Sequence, residues 1–318
     1  MVKYILRRLL ISIPVLIGVT VIIFTLIELA PGDVADYYVD PEAEMSPEAT
    51  AQLRQRFGLD QPAPVRYLKW ASKIAQGDMG YRFVDGRPVA EVIARRLGAT
   101  VRLISTALVF GTVVGVMLGV FTGLHQYSLW DFSLTGLSFL FISMPAFIAG
   151  IFGLYIFSIK LNLFPVGGMR PVTHAPTFWD SVHHLILPAL ILSLAYIARF
   201  MRYTRFSMLE VIHANYVQSA RAKGLRERAV IWRHMFPNAM LPIVTVIGLS
   251  MPNLVVGAVF IETVFSWPGT GTLYLDAVRE RDVPLLMGLN LVMAVVILMA
   301  NLLTDVAYSW VDPRIRYD

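Results

Sequence analysis

Among the residues whose chemistry could be catalytic, His183 and His184 stand side by side. Neighbours on a helix point about 100° apart, so the two rings do not converge on one metal ion, and they read as interfacial residues. There is no cysteine, which removes disulfide frameworks and thiolate metal sites. The chain contains no Gly-x-x-x-x-Gly-Lys-Ser/Thr and not even a Gly-Lys dipeptide, so it offers no loop to cradle nucleotide phosphates. Neither His-Glu-x-x-His nor Gly-x-Ser-x-Gly occurs, so a membrane protease or esterase has no visible nucleophile or metal set.

The segment with the most unusual composition is Tyr216-Val217-Gln218-Ser219-Ala220-Arg221-Ala222-Lys223-Gly224-Leu225, followed by a run from Arg226 to Phe236 and then Pro237-Asn238-Ala239. It reads as a short helix of small and basic residues broken at Gly224, then a second basic amphipathic run. Buried, such a loop would leave backbone groups unsatisfied, so it belongs at the surface or against a partner. A basic loop beside a membrane would have the same composition. Composition does not account for the grouping of small residues, glycine and proline.

The elements that must carry this segment are apolar. Of 318 residues, 56% are hydrophobic and 15% charged, against roughly 25% charged in soluble domains. The apolar residues come in long blocks. A hydrocarbon core about 30 Å thick needs roughly 20 residues at 1.5 Å each, and six stretches qualify: about 9–29, 101–124, 133–159, 185–203, 237–260 and 284–310. Arg199 and Arg202 fall in the last turn of the fourth, where such side chains snorkel to the interface. The first block, with Lys3, Arg7 and Arg8 before it, is longer than a signal-peptide core and lacks a small-x-small cleavage site, so it reads as a retained helix.

Basic residues cluster at the N-terminus, in the loop after the fourth span (Arg205, Arg221, Lys223, Arg226, Arg228, Arg233) and in the tail (Arg314, Arg316). With six spans these segments fall on one side, so both termini are expected in the cytoplasm. The net charge of +5 is thereby accounted for by membrane orientation, and no nucleic-acid partner is expected. The domain plan is a transmembrane helix over 1–30, an extracytoplasmic helical segment over 31–98, a transmembrane domain over 99–310 with a cytoplasmic loop at 204–236, and a tail over 311–318. Within the outer segment, Ser46-Pro47-Glu48 starts a helix running to Phe57 with Gly58 as its stop. A second helix ends near Gly77, and a third opens at Pro88 and closes at Gly98.

The loop from Tyr216 to Leu225 resembles the coupling loop of binding-protein-dependent ABC importer permeases, in the oligopeptide/dipeptide branch. The family pattern is Glu-Ala-Ala, three residues, Gly, nine residues, Ile-x-Leu-Pro. Gln218, Ser219 and Ala220 take its first places, Gly224 its glycine, and His234, Phe236 and Pro237 its end. The glycine and proline match, while the glutamate, isoleucine and leucine do not. The resemblance extends through Tyr4 to Leu10 with Pro14, Ala30-Pro31-Gly32-Asp33, Gly58-Leu59-Asp60-Gln61-Pro62, Gly77-Asp78-Met79-Gly80, Glu262 to Gly269, Arg281-Asp282-Val283-Pro284 and Asp312-Pro313-Arg314-Ile315-Arg316. Arg82 departs from it, standing where a serine is expected after Gly80. The chain is more similar to the first permease subunit of such systems than to the second, which usually has an N-terminal cytoplasmic extension.

The resemblance implies an all-α integral membrane fold of the type I ABC importer (MetI-like) kind in a bacterial or archaeal cytoplasmic (inner) membrane. It implies a second permease subunit, two cytoplasmic ATPases that bind ATP and Mg, and an external solute-binding protein, with no cofactor in this chain. The cargo is expected to be peptide; nickel complexes, glutathione and oligosaccharides are carried by similar permeases. Gln218, Ser219, Ala220, Arg221, Lys223, Gly224, Leu225 and Arg226 are the expected ATPase-coupling residues. Small side chains there would permit close approach, and the basic ones would pair with acidic groups on the ATPase.

Pathway residues are read from helix chemistry. Pro145 and Pro252 each remove a helix hydrogen bond and are candidate hinges. Asn253, polar at membrane depth, lines the pore or bonds to another helix. Glu262 with Trp267, Pro268 and Gly269 forms an outer gate or re-entrant turn, or else an interfacial loop with a tryptophan anchor. Asp305 reads as a structural partner. An ion-coupled secondary transporter would need inverted repeats and a midplane charge pair, and neither is visible.

Overall fold

Long apolar runs with few helix breakers dictate helices, because a bilayer supplies no partners for exposed backbone groups. The computed structural model describes residues 2–30, 55, 60–171 and 175–311. In order these form α1 (Val2–Leu29), α2 (Ala63–Ala75), α3 (Val89–Leu124), α4 (Leu129–Ser143), α5 (Ala146–Gly153) with a π-helical continuation (Leu154–Lys160), and α6 (Phe178–Ile212). They continue with α7 (Asn215–Ala222), a helical turn (Glu227–Ala229) leading into a π-helical segment (Val230–Met235), α8 (Phe236–Val264), α9 (Thr270–Arg279) and α10 (Val283–Val311). The expected helix from Ser46 to Phe57, the exit at Pro31-Gly32-Asp33, the tail and the side chains of Pro252 and Asn253 lie outside the described residues.

Ile5–Leu29, Val89–Leu124, Phe178–Ile212 and Val283–Asp305 are long and apolar enough to cross a membrane. Helix α4 and α5 with its continuation form an apolar pair bent by 106°, a broken span or a re-entrant loop. Helix α8 stands where the fifth span was expected and, at 29 residues, also exceeds the roughly 20 that a bilayer core requires.

One expectation needs correction. The stop at Gly98 is absent, for α3 runs through it as one 36-residue helix. A lone interior glycine costs only about 1 kcal/mol relative to alanine and does not end a helix that its neighbours sustain. The stretch 133–159 bends at Pro145. Helix α4 ends at Met144, whose N–H still reaches Leu140 O at 3.0 Å, and Pro145 then opens α5 in a new direction. Proline fits a first helical turn, where its missing N–H has no partner to lose.

Helix starts follow side-chain chemistry. Ser128 Oγ accepts from Asp131 N–H at the start of α4. Thr177 and Asp180 form a reciprocal capping box at the start of α6.

The chain divides into two compact units, Met1–Ala99 with Gly269–Leu298 and Thr100–Pro268 with Met299–Asp318. The first has a core of Val89, Ile93, Leu273, Ala277, Leu285, Leu286 and Leu289. The second is organised on α6, which packs against α4, α5 and α8. Near its α7 end the core is Val120, Met208, Val217, Ala220, Val230, Met235 and Ala239.

Candidate coupling segment and gate

Helix α7 follows α6 after only His213 and Ala214, so the orientation of α6 is transmitted directly into the expected coupling segment. The eight-residue helix has two faces. Val217 is fully buried and Ala220 nearly so, both in the core with Met208, Val230 and Met235. Gln218, Ser219, Arg221, Ala222, Lys223, Gly224, Leu225 and Arg226 are exposed. The expectation that Ala220 lies on a docking face is thus corrected: its small size serves packing within the chain. Two of the exposed side chains are turned back on the backbone, Gln218 Nε2 to His213 O at 3.2 Å and Ser219 Oγ to Asn215 O at 2.9 Å.

The helix ends in a Schellman cap. Leu225 N–H reaches Ala220 O at 3.4 Å, Gly224 N–H reaches Arg221 O at 2.9 Å, and Gly224 has φ +73°. A Cβ at Gly224 would meet nothing within 4 Å, so the glycine is required here by backbone conformation and not by crowding within the chain. Across the turn Arg221 grips Glu227 with two nitrogens, Nη2–Oε1 at 2.6 Å and Nε–Oε2 at 3.2 Å. Hydrogen bonding to Arg221 draws the Glu227 carboxyl below its ordinary range, and the same contact raises Arg221. Arg221 therefore already holds a carboxylate of its own chain, whereas Lys223 and Arg226 project from the exposed face.

At the opposite end of α8 the chain makes a buried turn. Glu262 is fully buried and its carboxylate accepts from Thr100 Oγ1 at 2.6 Å. Trp267, 1% exposed, donates its backbone N–H to Glu262 O at 2.7 Å, with Ser266 left-handed at φ +48° between them. Gly168 N–H donates to Phe265 O at 2.8 Å, and a Cβ on Gly167 would come within 2.8 Å of the same oxygen. His184 Nδ1 donates to the carbonyls of Gly167 and Gly168, both at 3.2 Å, and His183 Nε2 to Leu163 O at 2.8 Å. The histidine pair thus holds the loop after α5, each ring on its own carbonyls. Of the alternatives for Glu262 and Trp267, an interfacial loop with a tryptophan anchor would leave the indole at the surface, whereas Trp267 is 1% exposed. Pro268 follows, and Gly269, in extended backbone, stands immediately before α9.

Helix α5, opened by Pro145, packs onto the same end of α8. Gly150 faces Val264 and Ile261, and the rings of Phe147 and Phe260 lie 6.1 Å apart. The bend at Pro145 and the Glu262–Trp267 turn therefore share one neighbourhood. Backbone helix is continuous through Pro252 and Asn253.

Two features escaped the sequence reading. Gly111, Gly115, Gly119 and Gly123 recur every fourth residue along α3, and a Cβ on each would strike α6: Tyr196 Cβ at 2.6 Å, Ile197 O at 2.8 Å, Thr204 Cβ at 2.5 Å and Met208 Cβ at 2.8 Å. The Gly-x-x-x-Gly spacing in an apolar run was the available signal. The second is Asp131, nearly fully buried, which Arg205 of α6 holds through two nitrogens while Tyr127 N–H donates to it at 3.0 Å.

In the other unit Arg82 contacts three carboxylates: Asp85 at 2.9 Å, Glu280 at 2.6 Å and Asp282 at 3.2 Å. Burial opposes its charge, but the three acids outweigh it and raise Arg82 above the ordinary arginine value. Burial also pushes the Asp282 carboxyl above the usual carboxylate range, despite donors from Leu285 N–H, Phe83 N–H and Arg82.

Residues 115–317 match the family described as binding-protein-dependent transport system inner membrane component, and residues 1–104 match its N-terminal companion family. The oligopeptide transport system permease protein AppB of Bacillus subtilis is 38% identical, with 100% of both chains covered. The dipeptide transport system permease protein DppB of Escherichia coli is 39% identical, covering 100% of this chain and 99% of its own. Among solved structures, a chain of the MetNI methionine ABC transporter superposes with a TM-score of 0.58 at 14% identity, over 70% of this chain and 97% of its own. That likeness supports the type I importer permease fold. The chain belongs to the inner-membrane permease family of binding-protein-dependent transport systems.

Proposed function

We propose that the chain is the first-type permease subunit of an ATP-driven importer of di- and oligopeptides, forming one half of the translocation pathway. Full-length similarity to permeases named for oligopeptide and dipeptide transport supports the cargo class. The chain has no phosphate-binding loop and serves as the non-catalytic membrane subunit. Two cytoplasmic ATPases bind ATP and Mg and supply the energy, a second permease supplies the other half of the pathway, and an external binding protein delivers the peptide. Both termini and α7 face the cytoplasm, as the basic segments favour.

The observation that carries this reading is the division of α7 into a buried and an exposed face, with α6 leading directly into it. A helix rooted in the core on one side and open on the other can be pushed by a partner and can pass that movement to α6 and α8. When the ATPases close on ATP, α7 moves with them and the pathway opens outward to the loaded binding protein; hydrolysis resets it. ATP need favour one state by only a few kcal/mol.

Proteoliposomes containing the four-subunit transporter, with ATP inside and binding protein plus labelled dipeptide outside, test the proposal. Uptake should require both ATP and the binding protein. Uptake driven by an ion gradient without ATP overturns the coupling. Uptake confined to a nickel complex, glutathione or an oligosaccharide overturns the peptide cargo.

A further inference from the structure

We propose that α2 and the cavity beside it form a site for the headgroup of an anionic phospholipid, at the membrane surface where α1 ends. Helix α2 carries Arg66, Lys69 and Lys73 at helical spacings of three and four, and no acidic residue. Those spacings put the three cations along one side. Its apolar residues do not enter a protein core: none of α2 is buried, and Val65 and Leu68 are 40% and 64% exposed. A short amphipathic helix with exposed apolar side chains and only basic charge has the composition of one that lies in a bilayer interface.

Its attachment sets its depth. Tyr67 shares a 3.0 Å hydroxyl–hydroxyl hydrogen bond with Thr20, the rings of Tyr67 and Phe24 meet edge-on at 5.5 Å, and Arg66 pairs with Glu28. Thr20, Phe24 and Glu28 follow at every fourth residue on one face of α1, and eight residues of helix are about 12 Å. Helix α2 therefore lies along the last two turns of an apolar membrane helix that sets Ile27 against the core of its unit and leaves Ile22, Leu26 and Leu29 each more than half exposed. That is the level of headgroups and upper acyl chains, which favours a lipid over a soluble partner.

The cavity, of about 880 Å³, is lined by Arg66, Lys69, Trp70 and Lys73 on α2, with Phe24 on its membrane side. Its acidic members are already engaged, Asp78 by Gly80 N–H and Asp85 by Arg82. Glu28 holds Arg66, which leaves Lys69 and Lys73 for an incoming phosphate. The Trp70 indole N–H has no acceptor among the described residues, and tryptophan at this depth is a common interfacial anchor.

The test counts lipid on the purified full transporter by native mass spectrometry during titration with phosphatidylglycerol or phosphatidylcholine, and is independent of what the transporter carries. Wild type should bind phosphatidylglycerol in preference. K69Q/K73Q should bind it about 30-fold more weakly, the equivalent of about 1 kcal/mol per surface cation, while K69R/K73R should match wild type. Equal phosphatidylglycerol binding by K69Q/K73Q overturns the site, as does equal binding of the two lipids by wild type. Displacement of phosphatidylglycerol by millimolar inorganic phosphate assigns the pocket to a free anion and overturns the lipid claim.

Discussion

Arg205 on α6 holds Asp131 at the start of α4 in a fork, Nε–Oδ1 at 2.6 Å and Nη2–Oδ2 at 2.8 Å. The aspartate is nearly fully buried, while the arginine side chain keeps a quarter of its surface. The pair ties the turn after α3 to α6 about two helical turns before α6 ends. Removing one partner of a buried pair strands the other, which typically costs about 3–5 kcal/mol, and the partial exposure of Arg205 reduces that to about 2–4. R205A should therefore destabilise the chain more than D131N, which leaves a neutral amide in place of the carboxylate. D131N/R205M, which strands no charge, should recover most of the loss. Unfolding of the purified chain in detergent measures this. An R205A variant as stable as wild type would show that the clasp is solvated and carries little.

The glycine ladder predicts opposite outcomes for the same substitution at two places. On α3, G119A puts a methyl group 2.5 Å from Thr204 Cβ and 2.6 Å from Met201 O, so α3 and α6 must separate, at a cost of about 1–3 kcal/mol or more. On α4, Gly136 has nothing within 4 Å, and G136A should be neutral or stabilise by up to about 1 kcal/mol through helix propensity. Thermal unfolding of the two variants decides it, and equal effects would mean that the close approach of α3 to α6 is not maintained.

Arg82 shows why part of the structure could not be read from sequence. Its departure from the expected serine had no visible consequence, because its partners Glu280 and Asp282 lie 198 and 200 residues away. Gly98 misled for the opposite reason: a breaker is a local signal, and the packing that sustains α3 through it is not local. Pro145 announced a bend but not one of 106°. The apolar runs were legible because bilayer thickness acts on every span alike. In the coupling segment, the break at Gly224 was legible from residue type. Which side of α7 is buried was not, since Val217 and Ala220 find their partners on α3, α6 and the π-helical segment.

The Arg82 cluster makes a prediction about pH. In R82S the fully buried Asp282 loses its guanidinium, and its carboxyl, already raised by burial, rises further. A folded-state pKa above the unfolded value means that the folded chain binds the extra proton, so stability falls as pH rises through that interval. The deficit of R82S relative to wild type should be small near pH 4, where the raised Asp282 carboxyl takes up its proton. It should grow to about 2–4 kcal/mol by pH 7. Unfolding measured across this range checks the sign; a deficit that shrinks with rising pH contradicts the arrangement.

The two faces of α7 should separate folding from coupling. V217A and A220L act on the buried face, by leaving a cavity or by overpacking, and should cost about 1–3 kcal/mol of stability. S219W and A222W act on the exposed face, so they should leave unfolding unchanged while abolishing ATP-driven uptake and binding-protein-stimulated ATP hydrolysis. Gly224 falls between the two. Its left-handed conformation costs about 1–2 kcal/mol for most residues but less for asparagine. G224N should therefore retain more transport than G224A, and G224V should retain none. Uptake and ATP hydrolysis measured alongside thermal unfolding resolve the three classes. Normal transport by S219W, A222W and G224V together would mean that the ATPase does not dock on this face, and the coupling role would have to move to another part of the 204–236 loop.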